Sequence, residues 1–125
     1  MKRELRLTRS TDFKRVRLHG KSYAHPLVVL KILPNDSDRL HIGFAVGKNV
    51  GNAVTRNRIK RRLRAVLHQY APMLLRGKDL VFIARTPMAS AAYQDIERAI
   101  LNLVERAQLL NAQEQLEDDR VRIPE

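Results

Sequence analysis

The chain has 125 residues, of which 44% are hydrophobic, so it is long enough for one domain with a modest core and too apolar for global disorder. It contains no cysteine, which excludes a disulfide framework, thiolate zinc and thiol catalysis. A reducing cytoplasm is therefore the expected compartment. No apolar run approaches the ~20 residues of a membrane span, and the basic N-terminus lacks the apolar segment of a secretory signal. We expect no membrane partner.

The formal net charge of +11 is unevenly distributed along the chain. Residues 1–39 carry ten basic and four acidic side chains, and residues 40–78 carry nine basic ones and no acidic one. Residues 79–125 carry five basic and nine acidic ones. A basic two-thirds joined to an acidic last third favours a polyanion partner, RNA or DNA, over generic solubility.

The first twenty residues predict an extended basic arm at 1–9 and a short helix. Ser10 or Thr11 can cap that helix, and Gly20 ends it. Phe13 stands among basic residues within it. Its ring is either part of the core or a half-exposed platform on which an unpaired base could stack.

Four segments rich in β-forming residues predict strands at 21–24, 27–33, 40–46 and 79–86. The fourth is almost continuously apolar, which favours a central place in the sheet. In the third, large apolar residues alternate with small ones, so that Gly43 and Ala45 share one face. This small face leaves room either for a ligand to lie across it or for a helix to pack closely.

The segment 48–70 predicts a helix with Asn52 as its N-cap and a narrow apolar stripe. The stripe consists of Ile59, Leu63, Val66, Leu67 and Tyr70. The segment has no carboxylate, and its basic residues are Lys48, Arg56, Arg58, Lys60, Arg61, Arg62 and Arg64. Opposite the stripe lie Asn57, Arg61, Arg64 and His68, whereas Arg58 and Arg62 flank one edge of it and Lys60 the other.

The predominance of arginine favours binding of a polyanion by this helix, because the planar guanidinium matches phosphate oxygens and stacks on bases. A solvated basic face is one alternative. A membrane-surface helix is another, but it would need a broad apolar face with Trp or Phe, and this stripe is narrow and has neither. Nucleic acid is the favoured polyanion.

In the last third of the chain, the fourth strand is followed by a predicted structural helix, which Ser90 can cap, and by an acidic, flexible tail at 111–125. The element order is then α-β-β-β-α-β-α in one α+β domain. We expect a mixed sheet with the helices packed on one side.

No group of side chains has the pattern of a protein active site. Asp36 and Asp38 fall in a turn and Asp118 and Asp119 in the tail, so neither pair lies beside the basic helix. The four histidines lack metal-ligand spacing, and there is no serine nucleophile motif. We therefore expect no catalytic residue, no metal ligand and no organic cofactor in the protein itself.

The run KNVGNAVTRNRIKRRLR, with Arg56-Asn57-Arg58 at its centre, resembles the signature helix of the bacterial ribonuclease P protein subunit. Asp12-Phe13 and His19-Gly20 look like the N-terminal pattern of that family, and the segments 42–48 and 79–87 match its strands. The resemblance extends from about residue 5 to residue 110.

The resemblance implies a single-domain αβ sandwich over residues 1–110, with a four-stranded mixed sheet and a left-handed βαβ crossover. It also implies a role in ribonuclease P, where one protein subunit binds one catalytic RNA and the single-stranded 5′ leader of precursor tRNA. The RNA, with Mg²⁺ that it mainly holds itself, would remove the leader.

Two sets of site residues follow from the same resemblance. The residues expected to bind the catalytic RNA are Lys48, Asn52, Arg56, Asn57, Arg58, Lys60, Arg61, Arg62, Arg64 and His68. Those expected in the leader cleft are Phe13, Arg17, Lys31, Phe44 and Val46. Many family members have aromatic residues where this chain has Arg17 and Lys31, so we predict a more electrostatic and less aromatic grip on the leader.

Three other functions compete with this interpretation. A ribosomal protein is the strongest, because such proteins are small, basic and αβ, and it would co-purify with ribosomal subunits. A DNA-binding module would use the arginine helix in the major groove, but basic residues surround most of this helix and no dimerisation element is evident. A protein-only nuclease is the weakest, for lack of grouped carboxylates.

Overall fold

The computed structural model describes residues 6–7 and 10–110, and its helices and strands follow one another in the expected order. The elements are α1 (Ser10–His19), β1 (Lys21–Ala24), β2 (Val28–Pro34), β3 (Leu40–Ala45), α2 (Ala53–Tyr70), β4 (Lys78–Ala84) and α3 (Tyr93–Arg106). Short 3-10 turns follow α2 and β4, at Ala71–Met73 and Thr86–Ser90. Most of the predicted arm and the acidic tail at 111–125 lie outside the described residues.

The four strands form one mixed sheet in the order β1-β2-β4-β3. β2 pairs antiparallel with both β1 and β4, whereas β3 pairs parallel with β4. A parallel pair needs a crossover connection, and α2 provides it. The α+β class and the central place of β4 are therefore confirmed, and the left hand of the crossover stays a prediction.

The large side chains of the sheet form the main core together with α2 and α3. Leu30, Phe82 and Phe44 are neighbours in one row across three strands. Fully buried side chains from the two helices cover this face: Ile59, Leu63, Leu67, Ile96, Ile100 and Leu103. Each buried side chain of this size contributes ~1.5–3 kcal/mol relative to an exposed one. This core is the main source of stability, and it explains the apolar stripe of α2.

Helix α1 lies on the opposite face of the sheet, so the expectation that all helices pack on one side is wrong. Val16 of α1 is fully buried and packs with Leu7 and with Val81 of β4 in a second, smaller cluster. Phe13 packs against that cluster above Gly43 of β3. The physical reason is the absence of a side chain at position 43, which leaves space on β3 for the Phe13 ring.

The N-terminus of α2 matches its prediction, and that of α3 does not. The side-chain oxygen of Asn52 accepts a hydrogen bond from the backbone N–H of Thr55 at 2.9 Å, which confirms this residue as the N-cap. Ser90 does not cap α3, because it still belongs to the preceding 3-10 turn. The position before α3 is Ala92, which has no side chain that could accept a hydrogen bond.

Tyr70 joins the end of α2 to α3. Its hydroxyl donates a hydrogen bond to Oε2 of Glu97 at 3.2 Å. Burial, and then the hydrogen bond to this carboxylate, raise the pKa of the Tyr70 phenol above its ordinary value. The hydroxyl therefore keeps its proton, and the bond to Glu97, throughout the neutral pH range.

The contact between α1 and β3 makes Gly43 a sensitive position. A Cβ atom at residue 43 would lie 2.5 Å from Cζ of Phe13 and 2.8 Å from its Cε1. We expect Gly43→Ala to lower the free energy of unfolding by about 1–3 kcal/mol, because the ring must move off the sheet. Urea titration of the purified protein measures this change.

The compensating variant Phe13→Leu provides the control for Gly43→Ala. A shorter side chain at position 13 should recover part of the lost stability in the double variant, since the two residues share one contact. Additive losses in the double variant would contradict the close packing of Phe13 on Gly43.

Candidate nucleic-acid interface

The outer surface of α2 is basic and unneutralised. Asn57, Arg61 and His68 are exposed, and Arg56, Lys60 and Arg64 are half-buried beside them. The ion pairs among residues 6–7 and 10–110 involve Arg15, His41 and Arg98, so no basic residue of α2 has a carboxylate partner there. Like charges one turn apart on a helix repel each other, and this surface therefore attracts a polyanion.

Arg58 and Arg62 differ from the other arginines of α2, because they bind the polypeptide itself. Nη2 of Arg58 donates to the carbonyl oxygen of Ala89 at 2.9 Å, and Nη1 of Arg62 donates to that of Ala91 at 3.2 Å. Both carbonyls belong to the connection between β4 and α3. These two guanidinium groups, predicted to bind RNA, thus hold this connection against α2.

The loop before α2 continues the basic surface. Lys48 and Asn52 are exposed on it, and the oxygen of Asn52 is used by the helix cap, which leaves its amide nitrogen free to donate. Nδ2 of Asn49 donates to Oγ1 of Thr86 at 3.3 Å, so the loop is tied to the same connection that Arg58 and Arg62 hold.

A second open surface lies on the α1 face of the sheet. Val29, Ile83 and Ala45 form one row across β2, β4 and β3, and all three are half-exposed. Phe13 and Arg17 are one turn apart on α1, on the flank opposite Arg15, which contacts Asp79. Phe13, Ile83 and Ala45 all pack against the small cluster of Leu7, Val16 and Val81, so this flank faces the row. We call this row with Phe13 and Arg17 the open sheet surface.

The five residues predicted for the leader cleft do not come together. Phe44 and Val46 pack with the main core on the α2 and α3 side, and Val46 is buried. The cause is the strict alternation of β3, because Phe44 points away from the face that Gly43 and Ala45 share. Only Phe13 and Arg17 of the set belong to the open sheet surface. Lys31 lies under the end of α1, where its Nζ donates to the carbonyl oxygen of Arg17 at 3.0 Å.

Comparison with known proteins identifies the family. The sequence model described as Ribonuclease P matches residues 1–108 of the chain. The chain belongs to the ribonuclease P protein family. It is 38% identical over 115 residues to the ribonuclease P protein component of Herpetosiphon aurantiacus, a match covering 92% of this chain and 94% of that protein. The protein component of Clostridioides difficile is 39% identical over 104 residues, covering 82% and 91%.

Solved structures of ribonuclease P proteins have the same fold. The Staphylococcus aureus protein superposes with a TM-score of 0.79 at 30% identity, covering 86% of this chain and 98% of that one. The Thermotoga maritima protein gives a TM-score of 0.74 at 27% identity, covering 81% and 96%. The resemblance drawn from the signature helix is therefore confirmed over most of the chain, and the protein is a component of ribonuclease P.

The carboxylates within the described residues do not form a Mg²⁺ site. No group of three or more His, Asp or Glu residues comes together within residues 6–7 and 10–110. The buried carboxylate of Asp79 already accepts from Arg15 and Asn35. Mg²⁺ prefers several oxygen ligands around one point, and the described side chains do not supply them.

Among residues 6–7 and 10–110, none of the helices has the length and hydrophobicity of a membrane span.

Sequence reasoning missed two parts of this site. The first is the row of Val29, Ile83 and Ala45, which only the register of three strands brings together. The second is the ion pair between Arg15 and Asp79, whose members are 64 residues apart. A carboxylate at the start of an almost continuously apolar strand was the one signal available for it, because buried carboxylates are nearly always paired.

The two groups of arginines on α2 should respond differently to substitution. Arg58→Gln should lower the free energy of unfolding by about 1–3 kcal/mol, because the carbonyl of Ala89 loses a charged donor. Arg61→Gln, on the exposed surface, should leave stability unchanged or raise it slightly, since a repulsive charge is removed. Thermal unfolding of both variants without RNA measures the difference. Equal stability of the two would refute the structural role of Arg58.

Proposed function

We propose that this protein binds the catalytic RNA of ribonuclease P through the outer surface of α2 and the 5′ leader of precursor tRNA through the open sheet surface. The observation that carries the proposal is the unneutralised arginine surface of α2. Both contacts would serve the endonucleolytic removal of the leader, which gives the mature 5′ end of tRNA.

We assign the catalytic RNA to α2 because the outer surface of this helix has the charge and shape to bind a folded polyanion. Arg56, Lys60, Arg61 and Arg64 present donors over more than a third of the helix circumference, and Lys48 extends this surface into the preceding loop. Guanidinium groups bind phosphate oxygens in a bidentate manner, and phosphates line every RNA helix. We count Asn57 and His68, which are exposed beside them, as further contacts.

The leader is the partner we assign to the open sheet surface because a single strand exposes its bases. An aliphatic floor bordered by the Phe13 ring suits an unpaired base, and the Arg17 guanidinium beside it suits either a base or a phosphate. Arg85 follows β4 at the open end of the sheet and is exposed there. The grip we propose is therefore more electrostatic than aromatic.

We assign the cleavage step to the RNA and its bound Mg²⁺, in one complex of one protein and one RNA in the cytoplasm. The described side chains contribute binding groups on both surfaces. By placing cations between leader and catalytic RNA, the protein would lower the repulsion between two polyanions. That screening raises substrate affinity and, indirectly, the Mg²⁺ occupancy of the RNA.

Cleavage of a precursor tRNA with a 5′ leader at low Mg²⁺ tests the proposal. The reaction is run with ribonuclease P RNA alone, with the protein alone and with both. We expect strong stimulation only by the combination. Cleavage by the protein alone would overturn the assignment of catalysis to RNA. A lack of stimulation would bring the ribosomal interpretation forward, and co-sedimentation with ribosomal subunits would then test it.

The double variant Arg61→Gln, Arg64→Gln tests the contact with the catalytic RNA through the salt dependence of RNA affinity. Each lost phosphate contact should reduce the slope of log affinity against log salt by ~0.7–0.9, so the double variant should bind the RNA more weakly and with a flatter salt response. Asp95→Gln, an exposed change on α3, is the control with an unchanged slope. A flat salt response of the wild type would contradict RNA binding by this surface.

Substitutions on the two faces of the sheet test the assignment of the leader. Phe13→Ala and Arg17→Ala should each lower the affinity for a leader-bearing precursor, by about 1–3 kcal/mol for a lost stacking contact. Phe44→Leu, on the main-core side, should not change it. Affinity is measured with the complete ribonucleoprotein and with precursors of long and short leader. Loss with Phe13→Ala but not with Arg17→Ala would show that the grip is aromatic alone.

A further inference from the structure

Asp79 is the one charged side chain that is fully buried within residues 6–7 and 10–110, with 3% of its surface exposed. Its two carboxylate oxygens have separate partners. Oδ1 accepts from Nδ2 of Asn35 at 2.9 Å and lies 2.9 Å from Nδ1 of His41. Oδ2 accepts from Nη2 of Arg15 at 2.9 Å. One oxygen is thus fixed to the sheet and its adjoining turn, and the other holds α1.

The contact with Arg15 lies on the flank of α1 opposite the open sheet surface. At 100° per residue, Arg15 is rotated by 200° from both Phe13 and Arg17, and Val16 between the two flanks is buried on Val81. A helix moves as a rigid body on this scale. A roll of α1 about its axis would therefore displace Phe13 and Arg17 whenever Arg15 leaves Asp79.

The ion pair between Arg15 and Asp79 contributes little to stability, but it can fix the orientation of α1. Desolvation of a buried carboxylate offsets most of the attraction to its partner, so apolar residues of similar size could hold α1 at least as firmly. Apolar contacts are, however, non-directional. The charge-assisted hydrogen bond from Nη2 of Arg15 to a fixed carboxylate oxygen is directional, and it selects one rotation of the helix.

We propose that Asp79 and Arg15 are positioning residues for the leader, which set the rotation of α1 and so the place of Phe13 and Arg17 at the open sheet surface. The inference rests on the leader surface proposed above. The buried carboxylate of Asp79 is not needed for the proposed RNA contacts or for the main core, and this inference gives it a role. The direct alternative is that Arg15, whose side chain is 45% exposed, contacts a leader phosphate itself.

The test compares the affinity of the reconstituted ribonucleoprotein for precursors with a long leader and with a one-nucleotide leader. The ratio of the two affinities is the leader-dependent gain. Asp79→Asn and Arg15→Gln should each lower this gain about five- to tenfold, and the double variant should lower it no further, because both break the same contact. Affinity for the catalytic RNA and for the short-leader precursor should stay within about twofold of wild type. Asp95→Asn on α3 is the matched control, because it makes the same chemical change at an exposed carboxylate.

The salt dependence of the leader-dependent gain separates positioning from contact. The comparison is made in an Arg17→Ala background, because a displaced Arg17 could itself lose a phosphate contact. There Arg15→Gln should leave the slope unchanged if Arg15 only orients α1. A slope reduced by ~0.7 would show a phosphate contact and would overturn the proposal. Additive losses in the double variant, or an unchanged gain in a folded Asp79→Asn protein, would overturn it as well.

Arg15→Gln decides the question even if Asp79→Asn does not fold, because position 15 is on the surface and its slope is measured independently. The wild-type protein distinguishes failure of this inference from failure of the proposed function. If the wild type shows the leader-dependent gain and both single variants keep it, only the role of Asp79 and Arg15 is refuted. If the wild type shows no leader-dependent gain, the proposed binding of the leader to the open sheet surface is refuted.

Discussion

The close approach of Phe13 to Gly43 is the contact on which the arrangement of the α1 face depends. The Phe13 ring can lie over β3 only because the strand has no side chain at position 43, and the ring occupies the space of the missing one. α1 covers the middle of the face and leaves the row of Val29, Ile83 and Ala45 open beside it. The opposite face has no such gap, because its large side chains are buried under two helices. The sheet therefore has one face covered by the main core and one face that is partly open, where we propose that the leader binds.

The arginines of α2 show how one sequence motif can combine two physical roles. Those on the outer surface have no anionic partner in the described part of the chain, whereas Arg58 and Arg62 donate to backbone carbonyls of the neighbouring connection. The two groups occupy the same turns of α2 on different sides, as the adjacent Arg61 and Arg62 show. Charge counting along the sequence cannot distinguish them, because an arginine counts the same whether or not its guanidinium binds a backbone carbonyl. The distinction comes from what lies on each side of the helix.

Local pattern was sufficient to predict the elements and the order of this fold, but not the relation between distant parts. The N-cap at Asn52 and the apolar stripe of α2 follow from short-range spacing and are confirmed. The error about Ser90 arose because a 3-10 turn, which has no clear sequence period, precedes α3. The misplacement of Phe44 and Val46 arose from assigning them to a cleft by resemblance, although strand alternation already separates Phe44 from Gly43. The contact between Arg15 and Asp79 needs tertiary structure, since no pattern connects residues 64 positions apart.

The strand order has a consequence for how the chain folds during synthesis. β1 and β2 can pair as soon as residue 34 has left the ribosome, but β3 has no neighbour in the sheet until β4 is made, because β4 separates it from β2. The apolar stripe of α2 must likewise wait for the strand that it covers. Pairing between strands distant in sequence is slow, and it leaves edges and apolar surface uncovered in the meantime. While residues 71–84 are being synthesised, the basic helix is thus a nascent segment without its complete supporting sheet, emerging beside the RNA of the ribosome.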